Sequence, residues 1–195
     1  MNSIEACNFA IDNNVNFLGF ICYAKSPRAI SLDFLKKIRN INFKFTRPVI
    51  VLVDPAEALV FSALEILPNA ILQFHGNENE EFCQSFKQPY WKAIGISNKT
   101  DLSKISNYPS ADAILLDTKK EGLTGGTGET FSWDLLHELS IKQYVLAGGI
   151  NVDNIDQAIK HNPAIIDINS GIECSPGKKS ISLMEQLLIR YKAHE

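Results

Sequence analysis

Three short stretches of this 195-residue chain carry side chains suited to chemistry. In LLDT an apolar run ends in Asp117, and a carboxylate is costly there unless it is paired or working. In QFHG an apolar run turns at a glycine just after His75, and an imidazole there can polarise a substrate or move a proton. In YAKSPRAIS, Lys25 and Arg28 share one short polar stretch. A guanidinium clamps a carboxylate through two parallel hydrogen bonds, which an ammonium cannot do.

Two further stretches suit an anion. LAGGINVDN turns on Gly148 and Gly149, and DINSGIECSPGKKS turns on Ser170 and Gly171, with Lys178 and Lys179 close behind. Glycine lets the backbone approach a ligand, and the exposed N–H groups where a helix starts favour phosphate. Each feature has a plainer reading: surface cations, a backbone-bonded histidine, an aspartate that caps a turn. Together they point to a cofactor-free enzyme acting on a phosphorylated, anionic small molecule. The chain has neither a G-x-x-x-x-G-K-[ST] loop nor a G-x-G-x-x-G turn, which counts against nucleoside triphosphates and dinucleotides.

The elements that position these residues alternate. Helices are expected at 3–14, 31–40, 55–67, 78–86, 99–106, 132–139, 152–161 and 180–194. Strands are expected at 17–23, 48–53, 70–74, 91–96, 113–117, 143–147 and 165–169. Near-continuous apolar strands between helices mean βαβ units and a parallel sheet with helices outside. A doubly wound open sheet can hold seven strands. A (β/α)8 barrel needs eight, and the absent one would precede the first helix. The glycine turns after the last two strands favour the barrel, where phosphate sites commonly sit. Every candidate residue then falls at the C-terminal end of a strand. Residues 1–195 are read as one barrel domain.

Hydrophobic residues make up 45% and charged residues 21%, with a formal net charge of −3 and no long basic run. Nucleic acid is therefore not an expected partner. Neither is a membrane, since no apolar run approaches the ~18 residues that span one, and the cytoplasm is the expected location. Cys7, Cys22, Cys83 and Cys174 show no metal-ligand spacing, so free thiols and no metal site are expected.

Taken together, GFICYAKSPRAIS, LQFHGNE, LLDTKKEGLTGGTGETFSW, LAGGINVDNI and DINSGIECSPGKKS resemble phosphoribosylanthranilate isomerase of tryptophan biosynthesis. The likeness is collinear and runs from about residue 2 to the end. It implies a (β/α)8 barrel and a cofactor-free Amadori rearrangement of an aminoaldose to an aminoketose. It implies that Asp117 is the general acid and that Arg28 holds the anthranilate carboxylate. His75 is placed with the substrate, and Gly148, Gly149, Ser170 and Gly171 form the phosphate loops. A monomer or homodimer is expected.

The departure is at the start. Family members open with a strand carrying the catalytic cysteine base, and MNSIEAC matches only the segment after that strand. No general base is found in this chain. Cys7 falls inside the first helix, and Cys22, near the end of the first strand, is a weak substitute. Met1 is expected to be an internal methionine with the strand encoded upstream, and turnover by these residues alone is expected to be impaired. The alternatives are a non-catalytic phosphosugar-binding barrel, or another phosphosugar isomerase or epimerase.

Overall fold

The computed structural model describes residues 1–118, 132–139, 141 and 143–194. Seven parallel strands follow one another in chain order from β1 to β7. That sequential order is the (β/α)-barrel pattern. It rules out the doubly wound sheet, whose strand order reverses at a switch point. The strand count agrees with the sequence reading. The chain divides into two compact units, Met1–Trp91 with Ser175–Lys179, and Lys92–Cys174 with Ser180–Glu195.

In the first unit, helix α1 (Ile4–Asp12) starts where Ser3 Oγ accepts the Ala6 N–H at 3.2 Å. It buries Ala6, Cys7, Ala10 and Ile11, whose three- and four-residue spacing makes one face. Strand β1 (Phe17–Ile21) pairs in parallel with β2 (Arg47–Leu52), and β2 with β3 (Ile71–Phe74). Every residue of β3, and of β2 after Arg47, is buried, as a sheet covered on both faces requires. Helices α2 (Leu32–Ile38), α3 (Glu57–Ile66) and α4 (Glu80–Ser85) alternate with the strands. Ser31 and Asn79 cap α2 and α4 through Phe34 N and Phe82 N. Phe74 turns toward α4 and meets Phe82 and Phe86, with ring centroids 5.8 and 5.9 Å away.

Strand β4 (Tyr90–Ile96) runs from the first unit into the second. The second unit carries β5 (Ala113–Thr118), β6 (Tyr144–Leu146) and β7 (Ile165–Ile166), paired in that order. Its helices are α5 (Ile155–Lys160) and α6 (Ile181–Lys192), the latter burying Met184 and Leu187. On the outside, Asp156 of α5 holds Arg190 at 2.8 Å and His194 at 3.0 Å.

Three expected elements differ. The helices expected at 99–106 and 132–139 are 3-10 helices, Lys99–Asn107 and Trp133–Glu138. The strand expected at 165–169 lasts two residues and is followed by a 3-10 turn, Ser170–Ile172. A short hairpin of β8 (Glu173–Ser175) and β9 (Lys178–Lys179) was not expected.

The first 3-10 helix rests on one buried carboxylate. Asp101 is 4% exposed. It accepts from Ser97 N and Ser97 Oγ, both at 2.9 Å, and from Lys104 Nζ at 2.6 Å. Burial works to raise its pKa. The lysine and serine hydrogen bonds outweigh that and hold it well below the usual carboxylate range. A depressed folded-state pKa stabilises above the unfolded value, about 3.9, and that stability is lost as the pH falls through the folded value. Asp101→Asn is therefore expected to cost about 1–3 kcal/mol at pH 7. The gap from the parent should narrow below about pH 4. Urea midpoints of both proteins at pH 7 and pH 3 test this, and a gap independent of pH would contradict it.

Candidate active site

The site residues of the second unit come together through its glycines. Asp117 sits one residue before the end of β5, and its Oδ1 accepts the Thr118 N–H at 2.7 Å. The turn after β6 lies directly against it. A Cβ on Gly148 would come 2.8 Å from Asp117 Oδ1, 2.6 Å from Thr118 N and 2.4 Å from Thr118 Oγ1. Gly148 also has φ +88° and Gly149 φ +68°, a region that L side chains rarely enter. The carboxylate and the first glycine turn thus form one piece.

The second turn packs on the first. A Cβ on Gly171 would lie 2.0 Å from Ile150 O and 2.7 Å from Asn151 Cα. Two asparagines that sequence reasoning passed over knit the first turn. Asn154 Oδ1 accepts the Asn151 N–H at 2.8 Å, and Asn154 Nδ2 donates to Gly149 O at 3.0 Å. Asn151 Oδ1 accepts the Asp153 N–H at 2.8 Å. The signal was available, because asparagines beside glycine before a helix commonly bond the local backbone.

The first unit carries Arg28 and His75. The loop after β1 is folded on itself. Ser26 Oγ accepts the Arg28 N–H at 3.1 Å, and Ile30 N donates back to Ile21 O at 2.9 Å. Gly177 closes on this loop, with φ +82° and space for a Cβ only 2.6 Å from Pro27 O. Asn2 Nδ2 donates to Gly177 O. Arg28 is half-buried and Lys25 exposed.

His75 follows β3 and is half-buried. Its turn is clamped by two carboxylates that were not singled out from the sequence. Glu78, 6% exposed, accepts from Asp54 N at 2.8 Å and Gly76 N at 3.0 Å. Asp54 Oδ1 accepts the Asn77 N–H at 2.6 Å.

Three of the four cysteines are buried and offer no ready base, while Cys174 is exposed. Cys7 and Cys83 are wholly buried within α1 and α4. Cys22 is buried just past β1, and that burial pushes its thiol up to about 11, so little thiolate exists near neutrality. The glycines of the loop after Asp117 (Gly122, Gly125, Gly126 and Gly128) and Phe131 lie outside the described residues. Trp133 of the same motif is buried, edge-on to His161 at 5.8 Å.

Comparisons with known proteins bear on the family and the fold. The family model described as N-(5'phosphoribosyl)anthranilate (PRA) isomerase matches residues 1–189. An N-(5'-phosphoribosyl)anthranilate isomerase of Legionella pneumophila (strain Paris) is 40% identical over 190 residues, covering 96% of this chain and 92% of that protein. The crystal structure of phosphoribosyl anthranilate isomerase from Thermotoga maritima superposes with TM-score 0.89 at 30% identity, covering 99% of this chain and 96% of that one. A phosphoribosyl anthranilate isomerase in complex with reduced 1-(o-carboxyphenylamino)-1-deoxyribulose 5-phosphate gives TM-score 0.86 at 28% identity, covering 99% and 95%. With motifs, strand order and these matches in accord, the chain belongs to the N-(5'-phosphoribosyl)anthranilate isomerase family.

Proposed function

We propose that these residues form an Amadori isomerase of tryptophan biosynthesis, acting on N-(5'-phosphoribosyl)anthranilate, with Asp117 as its acid. The observation that carries this is the packing of Gly148 onto the Asp117 carboxylate. It sets a proton donor beside a phosphate loop, an arrangement that binding alone does not need.

Asp117 gives its proton to the furanose ring oxygen. The C1–O bond breaks as the anthranilate nitrogen lone pair forms a C=N bond, leaving an open-chain Schiff base. A base removes the proton from C2, its electron pair forms the C1=C2 bond as the C=N π pair returns to nitrogen, and an enolamine results. Return of a proton to C1 and loss of the hydroxyl proton give the aminoketose. The net change is a hydrogen shift from C2 to C1, so no oxidant, metal or organic cofactor is required. Arg28 holds the anthranilate carboxylate bidentately. Gly148, Gly149, Ser170 and Gly171 hold the phosphate through backbone N–H groups. His75 faces the sugar as a hydrogen-bonding group.

The role of general base does not fall to Cys7, Cys22 or Cys83. What supports this is the burial of Cys7, Cys22 and Cys83 and the raised pKa of Cys22. The same observation favours a second reading, a phosphosugar-binding barrel that does not turn over. Among the described residues no helix is long and apolar enough to cross a membrane. The protein is read as cytoplasmic, a monomer or a homodimer.

The test is an isomerase assay of this chain beside a version carrying the residues encoded just upstream. Turnover by the longer version is expected. Turnover by the shorter one would place the base within this sequence and make Cys22 the first residue to replace. Tight binding of the reduced product analogue without turnover in both versions would favour the binding protein.

A further inference from the structure

His75 is oriented by its own strand. Residues two apart on a strand share a face, so Gln73 and His75 lie on one side of β3 while Phe74 turns to α4. Gln73 is 4% exposed, and its neighbours in β3 are Ile71, Leu72 and Phe74. A primary amide in such a strand is costly unless its polar atoms are used. Its Nε2 lies 3.2 Å from His75 Nδ1. An amide nitrogen donates and does not accept, so an amide placed this way fits an acceptor at Nδ1 and the ring proton on Nε2. The backbone beyond the ring is fixed as well. Glu78 takes the Gly76 N–H, and a Cβ at Gly76 would lie 2.5 Å from Asp54 Oδ1.

We propose that Gln73 is a positioning residue that holds His75 as the Nε2–H tautomer, so that the ring meets a substrate oxygen as a hydrogen-bond donor. This rests on the placement of His75 in the substrate site. A neutral donor suits a sugar oxygen that gains electron density as the ring opens or the ketone forms. The opposite tautomer would present a lone pair to the same atom.

The tautomer is read by 15N NMR of histidine-labelled protein, with the His75 signals assigned by their loss in His75→Ala. The parent is expected to show a bare Nδ1 and a protonated Nε2. Gln73→Glu replaces the donor by an acceptor, so the proton is expected to move to Nδ1. Gln73→Met removes the partner and should give a mixture of tautomers, which keeps the test open if the glutamate variant folds poorly. In the form that turns over, kcat/KM is expected to fall about ten-fold or more in Gln73→Glu, with the thermal midpoint held. A protonated Nδ1 in the parent, or a tautomer unmoved by both variants, overturns the proposal. A moved tautomer with unchanged kcat/KM also overturns it, by removing His75 from the site. The NMR result does not depend on activity, so loss of the isomerase reading is distinguishable from loss of this one.

Discussion

Asp117→Asn is expected to abolish turnover while leaving the reduced product analogue bound. The amide keeps the shape of the carboxylate, and its Oδ1 can still accept the Thr118 N–H held at 2.7 Å. The Gly148 turn packed against it therefore has no reason to move. What is lost is a transferable proton. General acid catalysis typically contributes 10²–10⁴-fold, and kcat should fall by about that factor. The affinity for the analogue should change by no more than a few-fold, because binding is assigned to Arg28 and the glycine turns. The comparison belongs in the version of the chain that turns over, with the thermal midpoint checked. A kcat within ten-fold of the parent would remove Asp117 from the acid role.

Gly171→Ala is expected to have the largest effect on stability. The added Cβ would sit 2.0 Å from Ile150 O and 2.7 Å from Asn151 Cα. These are backbone atoms, so no rotamer change relieves the overlap, and the two turns must part. Forcing one extra carbon into a packed place commonly costs 1–3 kcal/mol. A backbone carbonyl in the way puts this case at the upper end, about 3 kcal/mol. Because both turns are assigned to the phosphate, KM for the phosphorylated substrate should rise as well. A urea midpoint equal to that of the parent would show that the turns do not bear on each other in solution.

Much of this fold was legible in the sequence because its strands are short apolar runs and its helix starts are marked. Ser3, Ser31, Asn79 and Ser180 all act as side-chain caps. The two helices that proved to be 3-10 show where the pattern misleads. At 99–107 the capping box of Asn98 and Asp101 is present. Further in, Ser103 Oγ and Ser106 Oγ donate back to carbonyls three residues earlier, each at 2.8 Å, and such bonds compete with regular helix. At 133–138 the would-be cap Ser132 turns its hydroxyl to Asp134 instead. Strand β7 stops early because Gly171 draws the chain against the neighbouring turn.

The same division runs through the site. Asp117, His75 and the glycine turns were nameable because each ends an apolar run, and Arg28 because it lies in the short polar loop that follows one. The closeness of Gly148 to Asp117 and of Gly171 to Ile150 was not, since each joins residues from separate turns some twenty to thirty positions apart in chain. Gln73 and Glu78 were passed over for another reason. One looks like an ordinary polar residue in a strand and the other like a helix-leading acid. Only the distances to Nδ1 of His75 and to the Gly76 and Asp54 amides give them a role.

The pairing of each strand with the one synthesised just before it also bears on how the protein is made. β1, β2 and β3 meet in that order, as do β5, β6 and β7. A strand leaving the ribosome finds its partner already in place, and the loop to be closed is only the stretch between two consecutive strands. Loop-closure entropy is met in small increments rather than in one long-range step. Vectorial synthesis and this topology favour the same sequence of events, with less time spent as an exposed, half-paired sheet.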